Sequence, residues 1–261
     1  MKTTLVLDAG SGTTTLLLAL PDSEPSEWPK TIVPAGHPVR DAATFLCDGG
    51  FPQPELALVC GMGIHPAASP ADALRMRRWK AELHGSGLCP ERVLCNTLPG
   101  WEVQALLEKT ASVFPLTLAA DSAAAAFMAG LSLRTVRERC QQEGVTLIYA
   151  GHSHVQVFMV YRERLLGLYE QHSSVALETF RRHVEEMRLN WLPDEEVRAS
   201  GGHGCICGEL PAEAEGFRPT FVFGPNSTRF AECGRLVKTC QDEAFARCFG
   251  LLEALKRRDA A

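Results

Sequence analysis

The stretch Thr3-Thr4-Leu5-Val6-Leu7-Asp8-Ala9-Gly10-Ser11-Gly12-Thr13-Thr14-Thr15-Leu16-Leu17-Leu18-Ala19-Leu20 decides how the chain is read. Two apolar runs, residues 5–7 and 16–20, flank a short polar turn that carries two glycines. That pattern predicts a β-hairpin with a buried first strand. Gly10 and Gly12 let the backbone bend and approach a ligand closely. Residues 11–15 bring hydroxyls and peptide N–H groups together, a concavity suited to phosphate oxygens. Asp8 closes the strand and could point a carboxylate at the same spot, where it could hold Mg2+ directly or through water. A surface hairpin of no special function has the same local pattern, so distant parts of the chain must supply matching pieces.

A chain of 261 residues with 46% hydrophobic content can bury a substantial core, as one large domain or two small ones. Its net charge of -5 gives no reason to expect nucleic acid. Basic residues cluster only at 75–80, at Arg181-Arg182 and at 256–258, and read as solvated helix faces. No apolar run reaches membrane-spanning length and no signal peptide opens the chain, so a cytoplasmic protein with no membrane partner is expected. The ten cysteines contain neither a C-x-x-C pair nor a C-x-x-x-C-x-x-C triad. That argues against a zinc ribbon and against a radical S-adenosylmethionine cluster. Without a secretion signal, most of them are expected to be small buried hydrophobes.

Further along, residues 39–47 read as a helix and 55–60 as a buried strand. Helices are also expected over 72–84 and 101–112. Asp121-Ser122 caps an alanine-rich helix that Gly130 is suited to end. Residues 132–144 look like a linker helix. A second apolar unit then begins: 145–149, the turn Ala150-Gly151-His152-Ser153-His154, 155–161 and 165–169 form a three-stranded meander. Its first turn repeats the N-terminal glycine turn at low fidelity, which suggests duplicated domains. An amphipathic helix over 174–190 follows, with Phe180, Val184 and Met187 on one face. Gly201-Gly202-His203-Gly204-Cys205-Ile206-Cys207-Gly208 reads as a flexible loop, and 220–223 as a buried strand running into Gly224-Pro225-Asn226-Ser227-Thr228-Arg229. The last helix, 242–257, carries Phe245, Cys248, Leu252 and Leu255 on one side.

These pieces, in this order, resemble the actin, sugar-kinase and heat-shock chaperone superfamily of ATPases. Residues 8–15 resemble its first phosphate loop and 150–154 its second. Residues 121–131 and 242–250 resemble its two interdomain helices, and 223–229 its adenosine loop. Within the superfamily the chain resembles an uncharacterised family labelled pyruvate-formate-lyase-activating-enzyme-like. That likeness is carried by Gly151-His152, by Gly167-Leu168-Tyr169-Glu170-Gln171-His172 with Gln171 inserted, and by Gly201-Gly202-His203-Gly204. The resemblance implies an α/β fold of two ribonuclease-H-like lobes, with mixed sheets flanked by helices and a cleft between them. The first lobe would span 1–131, a linker helix 132–144 and the second lobe 145–241, with 242–261 returning to the first.

It also implies a nucleotide-binding protein, a kinase or ATPase with ATP and Mg2+ in that cleft. Asp8 would be the metal-side carboxylate. Gly10, Ser11, Gly12, Thr13, Gly151, His152 and Ser153 would hold phosphates, and Gly224, Ser227 and Thr228 would approach adenosine. Asp121 is the candidate to take an acceptor's proton. One departure stands out: the superfamily's acidic residue at the second phosphate loop is here Tyr149. That favours an alternative in which the scaffold binds a transition metal or small ligand through His152, His154, His172 and His203. A third reading is an activator coupling nucleotide to another enzyme's redox state, as related activators do with a cluster shared by two subunits. The expected partner is a nucleotide or phosphorylated small molecule, and a homodimer is left open.

Overall fold

Strand β1 (Thr4–Ala9) runs antiparallel to β2 (Thr13–Ala19), and both are buried almost throughout in the computed structural model. The structure describes residues 2–10, 12–60, 92–93, 118–120, 122–190, 203–206, 219–238 and 242–259. β3 (Lys30–Pro34) adds to the outer side of β2, while β4 (Leu56–Cys60) pairs parallel to β1. Two short strands, β5 (Arg92–Val93) and β6 (Leu118–Ala120), pair parallel to β4 at successive levels. The order is β3-β2-β1-β4-β5, antiparallel on one side and parallel on the other.

Side chains alternate across this sheet. Leu5, Leu7, Leu16 and Leu18 face helix α1 (Pro38–Asp48), whose Val39, Ala42 and Leu46 complete one core. Pro38 suits the start of α1, since its missing N–H falls where the helix has no acceptor for one. Val6, Leu17 and Asp8 belong to the other face and are also buried.

Helix α2 (Ser122–Ser132) leads to α3 (Arg134–Cys140) and then to a second sheet. Here β7 (Val145–Ala150), β8 (His154–Tyr161) and β9 (Arg164–His172) form the expected meander. After α4 (Leu177–Asn190) come β10 (His203–Ile206), antiparallel to β9, and β11 (Thr220–Phe223), parallel to β7. A 3-10 turn, Ser227–Cys233, joins β11 to β12 (Arg235–Leu236). The order is β10-β9-β8-β7-β11-β12. With β10 set aside it repeats the first sheet: three meandering antiparallel strands, then parallel ones beside the first. Phe180, Val184 and Met187 of α4 pack with Ile148, Val157, Tyr169, Val222 and Phe230 on one face. On the other, Phe127 of α2 meets Phe158 at 5.7 Å between ring centres.

The chain divides into two compact units, the second holding Ala126–Ala246, while Arg247–Ala261 group with the first. A 3-10 turn at Glu243–Phe245 precedes the last helix, α5 (Ala246–Asp259). The α/β class and the two ribonuclease-H-like mixed sheets are as expected. Two local expectations are corrected. Gly130 does not end its helix, which continues to Ser132. A Cβ there would lie 2.9 Å from Leu147 Cδ1 and 3.1 Å from Phe223 Cζ, so the glycine answers to packing. The glycine-rich stretch at 201–208 is not all loop, because residues 203–206 pair with Gly167–Glu170, and pairing to a sheet edge overrides glycine's poor strand preference. The helices expected over 72–84 and 101–112, and the cap at Asp121, lie outside the described residues. Among the described residues no helix is long and apolar enough to cross a membrane.

Candidate functional site: two matching hairpin turns

In the first unit, β1 and β2 are paired up to Ala9↔Thr14, with Asp8↔Thr15 behind, so the connecting turn is residues 10–13. A Cβ on Gly10 would lie 2.9 Å from the Thr13 carbonyl oxygen, a distance real Cβ atoms avoid. Gly12 has open space around it, and its carbonyl accepts from Ala35 N–H at 3.1 Å. Ser11 lies outside the described residues.

Directly behind this turn is a buried polar cluster. Arg247 Nε lies 3.0 Å from Asp8 Oδ2, their side chains 18% and 6% exposed. Nε–H is not aligned on the carboxylate, so the contact is ionic rather than a linear hydrogen bond. Cys60, the neighbour of Asp8 across the parallel pair, donates its S–H to Asp8 Oδ1 at 3.4 Å. Burial pushes the Cys60 thiol well above its ordinary value, the Asp8 charge adds to this, and Arg247 opposes it. Cys248 is raised by the same causes in the same order. Both are protonated, inert thiols at neutral pH.

In the second unit, β7 and β8 are paired up to Ala150↔Val155, with Tyr149↔Gln156 behind. Measured from Asp8 and from Tyr149, the two hairpins have the same register and the same four-residue turn. A Cβ on Gly151 would lie 2.8 Å from the His154 carbonyl oxygen, which also accepts from Gly151 N–H at 3.0 Å. The turn is braced on two sides. Asn226 donates through its backbone N–H to Ala150 O and through Nδ2 to Gly151 O, both at 2.9 Å. Ser173 donates through Oγ to His152 O and through N–H to Ser153 O. Arg229 in turn donates to the carbonyls of Ser173 and Val175.

The adenosine-loop candidates follow β11. Gly224 has φ +102°, a conformation that side chains resist. Its N–H donates to Glu243 Oε2 at 2.9 Å, and its carbonyl accepts from Ser227 N–H at 3.0 Å. Thr228 is exposed. Tyr149 is buried, its ring edge-on to Phe223 with 5.5 Å between ring centres. Phe223 pairs with Tyr149 as Cys60 pairs with Asp8. An acid and a thiol in one unit are thus matched by two aromatic rings in the other.

Of the four histidines, the structure brings two together. His154 and His172 are cross-strand partners at the ends of β8 and β9, with ring centres 5.5 Å apart. His172 Nδ1 is 2.6 Å from Ser174 Oγ. His152 is exposed and enters the bracing only through its carbonyl. His203 is placed by its backbone alone, opposite Glu170. Among the described residues no group of three or more His, Cys, Asp or Glu side chains could hold a metal ion. The transition-metal expectation finds no support there. Asp121 lies outside the described residues.

Arg247, Cys60, Asn226, Ser173 and Glu243 were not singled out from sequence. Arg247 and Asn226 lie inside stretches matched to motifs, but nothing local told which side chain would turn inward.

No curated protein is significantly similar to the chain in sequence. Among solved structures, the ethanolamine utilization protein EutJ from Carboxydothermus hydrogenoformans is 11% identical, covers 96% of this chain and 88% of its own, with TM-score 0.48. Component A of the (R)-2-hydroxyglutaryl-CoA dehydratase of Acidaminococcus fermentans is 11% identical over 100% of both chains, with TM-score 0.48. The activator of the 2-hydroxyisocaproyl-CoA dehydratase from Clostridium difficile, solved with bound ADPNP, is 10% identical and covers 99% of this chain and 98% of its own, with TM-score 0.47. Residues 51–229 match the sequence profile of the family described as "Putative pyruvate format-lyase activating enzyme (DUF1786)", and the chain belongs to that family.

Proposed function

We propose that the protein binds a nucleotide, ATP in the first instance, in the manner of the actin-like superfamily, with each hairpin turn serving as a phosphate cradle. The observation that carries this reading is the repetition of one turn in two units. Both turns have the same length and register, both open on a glycine pressed against a backbone carbonyl, and each stands beside the C-terminal end of a parallel strand. Turns of this kind direct successive peptide N–H groups outward, where anion oxygens are held without side chains. Gly224, Ser227 and Thr228 are the adenosine-side candidates.

The finer reading, a kinase or ATPase, needs a group that orients the attacking oxygen and takes its proton. Asp8 is held by Arg247 and Tyr149 replaces the second acid, so turnover depends on Asp121 and is expected to be slow. Mg2+ would accompany the nucleotide; with Arg247 at Oδ2 and Cys60 at Oδ1, Asp8 would serve it through water rather than as a direct ligand. The family description names a radical-enzyme activator, and the chain has no cysteine triad of the radical type.

The test is thermal unfolding with and without Mg-ATP, Mg-ADP and Mg-GTP. Ligand at a hundred times its Kd adds about 2.7 kcal/mol to folding stability, a shift of several degrees. Unchanged melting with every nucleotide overturns the reading.

A further inference from the structure

We propose that His154 and His172 form a proton-linked anion clamp at the second glycine turn, so that a phosphoryl group binds there together with a proton. This deepens the nucleotide reading above and rests on its second turn. Three observations lead to it.

The turn has its acceptors taken. Every carbonyl oxygen from Ala150 to His154 already accepts a hydrogen bond, from Asn226, Ser173 or Gly151. A ligand at this turn therefore meets donors, and the partner that suits donors is an anion. The acids around it are engaged: Glu170 accepts from Gln156 Nε2, and Glu243 accepts from Gly224 N–H. Tyr149, in the position that matches Asp8, adds no negative charge.

The two rings belong to the turn and to its brace. His154 is the last residue of the turn, and His172 precedes the Ser173 that holds the His152 and Ser153 carbonyls. Cross-strand pairing sets the rings 5.5 Å apart between centres, with both residues exposed. His154 and Gln156 alternate onto one face of β8, opposite His172 and Glu170 of β9. The other titratable or charged residues about the pair are His152 in the turn, His203 opposite Glu170 on β10, and Arg229, which donates to the carbonyls of Ser173 and Val175.

The rings divide the work. His172 Nδ1 accepts from Ser174 N–H at 3.2 Å, so the proton of the neutral imidazole sits on Nε2. That nitrogen is a donor, suited to a phosphate oxygen and closed to a metal ion, which needs a bare lone pair. His154 makes no hydrogen bond through its ring among the described residues, so nothing ties it to one protonation state. It is the ring that takes up the proton. A second charge on His172 would stand against the first and against Ser174 N–H. The clamp is thus one imidazolium and one neutral N–H donor.

The experiment is calorimetric titration of the full chain with Mg-ATP, and separately with inorganic phosphate, at about pH 6 and about pH 8, across the imidazole range. The ligand's own titration is common to wild type and variants and cancels between them. Relative to His154→Gln, wild type should gain about tenfold in affinity at the lower pH, the scale of a charge-assisted contact. His172→Gln should lose about twofold to tenfold at both pH values and keep the pH dependence. If either variant does not fold, His154→Asn or His172→Asn replaces it. The pattern with ATP alone supports a nucleotide phosphate as the ligand, and the pattern with inorganic phosphate as well supports phosphorylated ligands generally. ATP binding with the same pH dependence in wild type and His154→Gln overturns this inference and leaves the nucleotide reading standing. The expected pattern with phosphate and no binding of ATP overturns the nucleotide reading and keeps the clamp. No binding of either ligand overturns both. Stoichiometric Zn2+ binding that both variants abolish also overturns the clamp, since it requires a bare Nε2 on His172.

Discussion

Gly10 and Gly151 hold the same position in two hairpins of one register: a Cβ on either would come within 2.9 Å and 2.8 Å of the carbonyl oxygen three residues on. Gly10→Ala and Gly151→Ala should therefore each cost about 1–3 kcal/mol, the usual range for forcing an extra carbon into a filled space. Gly12→Ala, with nothing near it, should stay within about 0.5 kcal/mol. Urea denaturation of the three variants gives the comparison, and equal losses at Gly10 and Gly12 would refute the geometric account.

The ion pair behind the first turn should behave as a unit. Arg247→Gln leaves the Asp8 charge buried beside Cys60 and is expected to cost about 3–5 kcal/mol. Adding Asp8→Asn should recover a good part, with a coupling energy of about 1–3 kcal/mol. A double-mutant cycle by chemical denaturation measures it, and additive losses would mean the two side chains are energetically independent.

The buried thiols give a pH dependence of known sign. Burial, reinforced by the Asp8 charge, raises Cys60 and Cys248 above their ordinary value of 9.0. The folded chain thus keeps two protons where the unfolded chain has lost them. Their stabilising contribution is complete below pH 9 and disappears as the pH climbs through the folded-state values. Urea midpoints followed from about pH 8 to about pH 11 should drop more steeply in wild type than in Cys60→Ala. In the native state a thiol reagent should modify Cys47, which is exposed, and spare Cys60, Cys140 and Cys248.

Gly224 should tolerate no side chain. Its φ of +102° disfavours L-residues, and a Cβ would meet Ala150 O at 2.9 Å and the Tyr149 ring at 3.0 Å. Gly224→Ala is expected to cost about 1–3 kcal/mol and to weaken nucleotide binding, because Tyr149 must then move. Unchanged melting together with unchanged ATP affinity would contradict this.

Much of the architecture was legible because it is written in local periods. The runs at 5–7, 16–20, 145–149 and 155–161 alternate or cluster apolar residues at strand lengths, and glycines mark both turns. What sequence could not reveal was set by contacts between distant residues. Gly130 reads as a helix stop until Leu147 and Phe223 are seen against it. His203 reads as part of a loop until β9 is seen to offer an unpaired edge. Asp8 reads as a metal ligand, and only the fold brings Arg247 to it. His154 and His172 meet because the β8–β9 register makes them opposite, although their loops look separate in sequence.

The contact between Asp8 and Arg247 also sets an order of events during synthesis. The first strand leaves the ribosome early, yet the guanidinium that neutralises its carboxylate is encoded almost at the other end of the chain. Until residue 247 is made, the N-terminal sheet has an uncompensated charge in its interior. The nascent N-terminal half is therefore the stretch a chaperone would have to shelter, and pulse proteolysis of stalled chains should find it cleavable until residue 247 has emerged.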